Sequence, residues 1–109
     1  MSKENRKKRI CFDELPIDVQ TSLVNFGKKI TIARRSRLLT QAELAARIDV
    51  GLNTMISIEQ GSPSVQFGSY VMALWCLNLL DEFERVARPE DDPITVQIGI
   101  KKIGKVVQK

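Results

Sequence analysis

Apolar side chains at Val19, Leu23, Phe26, Ile30 and Ala33 recur at steps of three and four. That spacing puts them on one face and predicts an amphipathic helix ending near Leu38 or Leu39. Lys28, Lys29, Arg34 and Arg35 fall largely off the stripe. Thr40, with Glu43 three residues on, is a capping-box signature. It predicts a second helix over 41–48, with Leu44, Ala45 and Ile48 inward. Asp49-Val50-Gly51 breaks the pattern. A third helix is expected over 52–60, with Met55 and Ile58 inward and Gly61 as its left-handed stop. Ser64 is placed to cap a fourth helix carrying Phe67, Tyr70, Val71, Leu74 and Leu77, which Asn78 closes. A last helix over 79–87 holds Phe83 and Val86.

Beyond Arg88 the period changes. Residues 88–93 form a polar linker with two prolines, and the next residues alternate. Ile94, Val96, Ile98 and Ile100 share one parity; Thr95, Gln97, Gly99 and Lys101 share the other. Period two predicts a strand. A lone strand needs a partner: a local hairpin, the same strand of a second subunit, or another protein. A frayed tail with accidental alternation is the alternative. The expected organisation is a basic N-terminal extension over 1–18, a helical domain over 19–88, and a linker with a C-terminal strand or tail over 89–109.

The 109 residues suit one domain. A chain this short buries only part of its surface, which favours a dimer or a partner protein. Lys and Arg number 17 against 13 Asp and Glu, for a net charge of +4. The bases cluster at Lys3 to Arg9, at Lys28 to Arg37, and at Lys101 to Lys109; the acids cluster in 81–92. Clustered positive charge suits a polyanion, although a solvated surface explains it as well. With no histidine, histidine-based catalysis and histidine-ligated metals are excluded. Cys11 and Cys76 have no zinc-like spacing, and Cys76 fits a small core residue. No nucleophile sits beside a base and no phosphate loop occurs, so an enzyme is not expected. Neither is a metal, a cofactor or a small-molecule ligand. No run approaches a membrane span and the basic start is not a signal peptide. The expected location is the cytoplasm, at the nucleoid.

The stretch TQAELAARIDVGLNTMISIEQG meets the demands of two helices crossing at a tight turn. Ala45 supplies the small residue where the helices meet, flanked inward by Leu44 and Ile48. Asp49 can take positive φ, less easily than glycine. Val50 closes the turn, and Met55 and Ile58 anchor the second helix one turn apart. On the run Leu39-Thr40-Gln41, then Glu43-Leu44-Ala45, Val50, Thr54, Glu59 and Gly61, the segment resembles the Cro/C1-type helix-turn-helix regulators, or XRE family. The likeness extends over about 26–80. It implies a five-helix, lambda repressor-like domain with the helix from Leu52 in the major groove of DNA. Asp49 departs from the family's usual glycine, Gly51 from a small hydroxyl residue, Met55 from isoleucine, and Ile56 from serine.

With Met55 and Ile58 inward, the third helix presents Leu52, Asn53, Ile56, Ser57 and Gln60, with Thr54 near its start. Asn pairs two-pronged with adenine and Ser reaches several base edges; Leu52 or Ile56 could touch a thymine methyl. The resemblance assigns base or phosphate contacts to Gly51, Asn53, Thr54 and Ser57, and makes Gln41 a phosphate clamp. Arg34, Arg35 and Arg37 are candidates for phosphate contacts, or else a solvated face. Glu59 is expected to bond within the bundle, because phosphates repel a carboxylate. The N-terminal run is a basic arm along a groove or a solubility tail.

The expected function is a sequence-specific repressor, dimeric, bound to a palindromic operator. The layout also resembles HipB-like antitoxins, which repress their own operon and partner a HipA-like kinase toxin. In that group a C-terminal strand joins the two subunits, the place Ile94 to Ile100 would take. The alternatives are a stand-alone phage-type repressor, and an antitoxin that acts through protein contacts with weak DNA binding.

Overall fold

The structure, a computed structural model, describes residues 10–102. The basic residues before Ile10, and Lys105 and Lys109, lie outside the described residues. Those described are mainly helical, and none is in a strand. The chain divides into two compact units, Met1–Leu79 and Leu80–Lys109.

In the first unit a 3-10 turn, Phe12–Glu14, leads into α1, Ile17–Ser36. Then come α2, Gln41–Arg47; α3, Leu52–Gln60; and α4, Phe67–Cys76. The capping box forms as the sequence predicts. The Glu43 N–H donates to the Thr40 hydroxyl at 3.0 Å, and the Thr40 N–H donates to the Glu43 carboxylate at 2.8 Å. These bonds hold the Glu43 carboxyl below the usual glutamate range. Ser64 does not cap α4. Gln66 takes that position, and Ser64 pairs with Ser62 instead.

The helices end in one way. The last carbonyls of α1, α2, α3 and α4 accept paired N–H groups from just past the helix, the Schellman arrangement. It requires a left-handed residue after each helix, and Leu38, Asp49, Gly61 and Asn78 supply it with φ of 58°, 59°, 75° and 62°. Leu38 is the costly choice, because its Cβ crowds the next carbonyl. Its side chain is 91% exposed, so no packing offsets that cost. Leu38→Gly is therefore expected to raise stability by about 0.5–1 kcal/mol, read from the urea midpoint at unchanged slope. A lower midpoint would show that Leu38 makes contacts.

The core joins Ile30 of α1, Leu44 and Ala45 of α2 with Ile48 at its end, Met55 and Ile58 of α3, and Tyr70, Ala73 and Leu74 of α4 with Leu77. The apolar stripe of α1 is narrower than its spacing suggests, since Val19 is exposed. The Phe26 and Tyr70 rings meet with centroids 5.5 Å apart, and the Tyr70 hydroxyl donates to the Ser62 carbonyl at 2.6 Å. Gly27 is where α1 crosses the end of α3. A Cβ there would overlap the Glu59 carbonyl and stand 2.8 Å from the Gly61 nitrogen.

The second unit contains α5, Leu80–Glu84, a 3-10 turn, Pro89–Asp91, and α6, Pro93–Ile98. Here the predicted strand is corrected: Ile94, Val96 and Ile98 are helical. Asp92 caps the helix by accepting from the Ile94 N–H at 3.2 Å and the Thr95 hydroxyl at 2.6 Å. Pro93 occupies the first turn, where its fixed φ suits a helix and its missing N–H costs nothing. This local start signal outweighs the alternation. The helix ends at Gly99, whose φ is 108°. Ile94, Val96, Ile98 and Ile100 all remain exposed. No strand formed by these residues is present to join two subunits.

Candidate nucleic-acid interface

Helices α2 and α3 are joined by the four residues Ile48, Asp49, Val50 and Gly51. The Asp49 N–H bonds the Ala46 carbonyl at 3.3 Å and the Val50 N–H bonds the Ala45 carbonyl at 3.0 Å, so the turn is closed with Asp49 in the left-handed position that glycine usually takes. With Leu44, Ala45, Met55 and Ile58 buried, the two helices share one core. That burial decides what α3 turns outward. Leu52, Asn53 and Gln60 are exposed, while Thr54, Ile56 and Ser57 are half-buried. Gly51 stands exposed at the N-cap of α3, with open space where a Cβ would lie.

Asn53, Thr54 and Ser57 open onto a groove of about 450 Å³, whose other wall is the segment leading into α4. That wall holds Ser64, Val65, Gln66 and Ser69, and Val50 completes the lining. The lining is uncharged, rich in hydroxyls and amides. Sequence reasoning missed Ser64, Gln66 and Ser69 as site residues. Their small polar side chains look like an ordinary loop and helix start, and only the fold sets them opposite α3.

The basic residues separate sharply. Arg34, a candidate for phosphate contact, is 6% exposed and committed elsewhere. Its Nε donates to Glu59 Oε2 at 2.6 Å, its second terminal nitrogen to Glu59 Oε1 at 3.1 Å, and its first to the Leu39 carbonyl at 2.7 Å. This is a corrected assignment: Arg34 ties the end of α1 to α3, and its donors are not turned to solvent. Arg35 and Arg37 are exposed. Arg37 also bonds the Ala33 carbonyl at 2.7 Å. Gln41 is half-buried and donates through Nε2 to Glu59 Oε1 at 2.9 Å. Burial pushes the Glu59 carboxyl up, but the bonds from Arg34 and Gln41 outweigh it and hold it below the usual range. Glu59 is thus an inward-bonded carboxylate.

Among the described residues no group of Cys, Asp or Glu is placed to hold a metal ion, and no helix is long and apolar enough to cross a membrane. Comparison with protein-family models, with curated proteins and with solved structures returned no match.

Proposed function

We propose that the chain is a sequence-specific DNA-binding transcriptional repressor in which α2, the turn and α3 act as a helix-turn-helix of the Cro/C1 type. One observation carries the reading. Two short helices share a core across a closed four-residue turn, and the second turns a polar, uncharged row outward beside a polar groove. Such a row suits base edges, which are read by amides, hydroxyls and methyl contacts. Arg35 and Arg37 offer exposed charge for phosphates, which position a protein without reading sequence. A major groove about 12 Å wide admits a helix such as α3. The reader we assign is Asn53 with Ser57, aided by Leu52, Thr54, Ile56 and Gln60; Gln41 and Gly51 are assigned to phosphates. A homodimer on half-sites roughly 34 Å apart would supply the affinity that one short face lacks.

The test is a binding selection on a randomised duplex library. Asn53→Ala and Ser57→Ala should relax preference at particular positions, by about 1–3 kcal/mol per lost base contact. Gln41→Ala should weaken all sequences alike. Equal loss across sequences for all three would remove the division into reader and clamp. Absence of duplex binding by the wild type would remove the function.

An antitoxin role, with a HipA-like kinase as partner, stays a narrower proposal. The strand that suggested it is replaced by α6. What supports it now is the exposed pair Ile94 and Ile98, one turn apart on α6, apolar surface that a protein partner would cover.

A further inference from the structure

We propose that Glu59, held by Arg34, is a positioning residue that sets which atoms Gln41 turns outward. This rests on the DNA-binding reading only for its consequence; the positioning itself stands on geometry. A primary amide has a donor end and an acceptor end of nearly the same shape, and nothing in the amide itself chooses which faces inward. Here the choice is forced. An ionised carboxylate only accepts, so Gln41 must turn its nitrogen toward Glu59 Oε1, at 2.9 Å. Its second N–H and its carbonyl oxygen are left for an outside partner.

Arg34 makes this arrangement rigid. It grips both oxygens of Glu59, at 2.6 and 3.1 Å, in the two-pronged geometry that fixes a carboxylate plane. Its remaining terminal nitrogen is anchored on the Leu39 carbonyl, in the short link between α1 and α2. One chain of bonds therefore runs from the end of α1, through α3, to the first residue of α2. A phosphate oxygen meeting Gln41 finds a donor already oriented. In a free glutamine the same contact would first have to order the side chain.

The consequence has a sign that simple charge effects cannot imitate. Glu59→Gln removes a negative charge, which by electrostatics alone tightens binding to a polyanion. Loss of positioning weakens it. The experiment measures a duplex selected by the wild type from a randomised library, against Glu59→Gln, Gln41→Ala and the double variant. Circular dichroism first establishes that each is folded at the assay temperature. Glu59→Gln is expected to bind about five-fold more weakly, the worth of one hydrogen bond. The double variant should be no weaker than Gln41→Ala, because the effect passes through Gln41. Equal or tighter binding by Glu59→Gln, or additive losses, overturns the proposal.

Should Glu59→Gln not fold, the paired exchange Arg34→Met with Glu59→Met leaves no unpaired charge and carries the same comparison. A second readout needs no DNA. In the wild type, nuclear magnetic resonance should show one of the two side-chain amide protons of Gln41 exchanging with water much more slowly than the other, and that protection should disappear in Glu59→Ala. Equally fast exchange of both protons overturns the positioning. If the wild type selects no duplex but this signature is present, the DNA-binding reading fails and the positioning stands.

Discussion

Glu59→Ala is expected to lower the unfolding free energy by about 3–5 kcal/mol, the usual cost of breaking a buried ion pair from one side. The loss is large because of what remains. Arg34 keeps its charge, and its side chain is only 7% exposed, so water cannot replace the carboxylate without opening the end of α1. Gln41 loses its acceptor in the same step. Removing both charges together should cost less than removing either, because no ion is then stranded. Arg34→Met with Glu59→Leu is the variant to compare, by urea unfolding. If the double variant is less stable than Glu59→Ala, the buried charge is not the cause.

The same pair predicts the direction of acid sensitivity. The folded-state carboxyl of Glu59 lies below its ordinary value of 4.5, and Glu43 shifts the same way. A depressed carboxylate contributes stability that is complete above the unfolded value and is lost as pH falls through the folded one. Stability should thus be level with respect to Glu59 near neutrality and decline below about pH 4.5. The decline should be shallower in the double variant.

Gly27→Ala tests the other large effect, and its sign is informative. In the middle of a 20-residue helix, alanine is favoured over glycine by about 1 kcal/mol. Helix propensity alone therefore predicts a more stable protein. Packing predicts the reverse. The new Cβ would overlap the Glu59 carbonyl oxygen, lie 2.7 Å from the Glu59 carbonyl carbon and 2.8 Å from the Gly61 nitrogen. All three are backbone atoms, so no rotamer change makes room. The helices must part, at a cost of about 1–3 kcal/mol or more. They part where Glu59 must reach Arg34, so the ion pair is disturbed too. A net loss of about 2 kcal/mol is expected, measured by chemical unfolding. A raised midpoint would show that α1 does not press on α3 at this residue.

Much of the first unit is legible along the chain because its signals are local. Thr40 and Glu43 cap a helix whatever surrounds them. Spacing at three and four identifies Ile30, Leu44, Met55, Ile58 and Leu74 as core, and each is buried. The outward row of α3 follows by subtraction. The failure at Ile94 to Ile100 is also local. Alternation is a weak signal over so few residues, and Asp92 with Pro93 and Thr95 is a stronger one for a helix start.

Arg34 is the case that no local pattern resolves. It stands in a basic run with Arg35 and Arg37, the three share one charge, and all precede the same turn. Only the crossing of α1 over α3 at Gly27 brings Glu59, 25 positions away, within 2.6 Å of one of them. Gln41, 18 positions from Glu59, is joined to it in the same way. The opposition of Ser64, Gln66 and Ser69 to Asn53 and Ser57 has that origin as well. Caps, turns and helix faces depend on residues within one or two turns of each other, and a linear reading contains those. Which charge is buried, which amide is held and which hydroxyls share a groove depend on distances between helices, and those exist only once the core has closed.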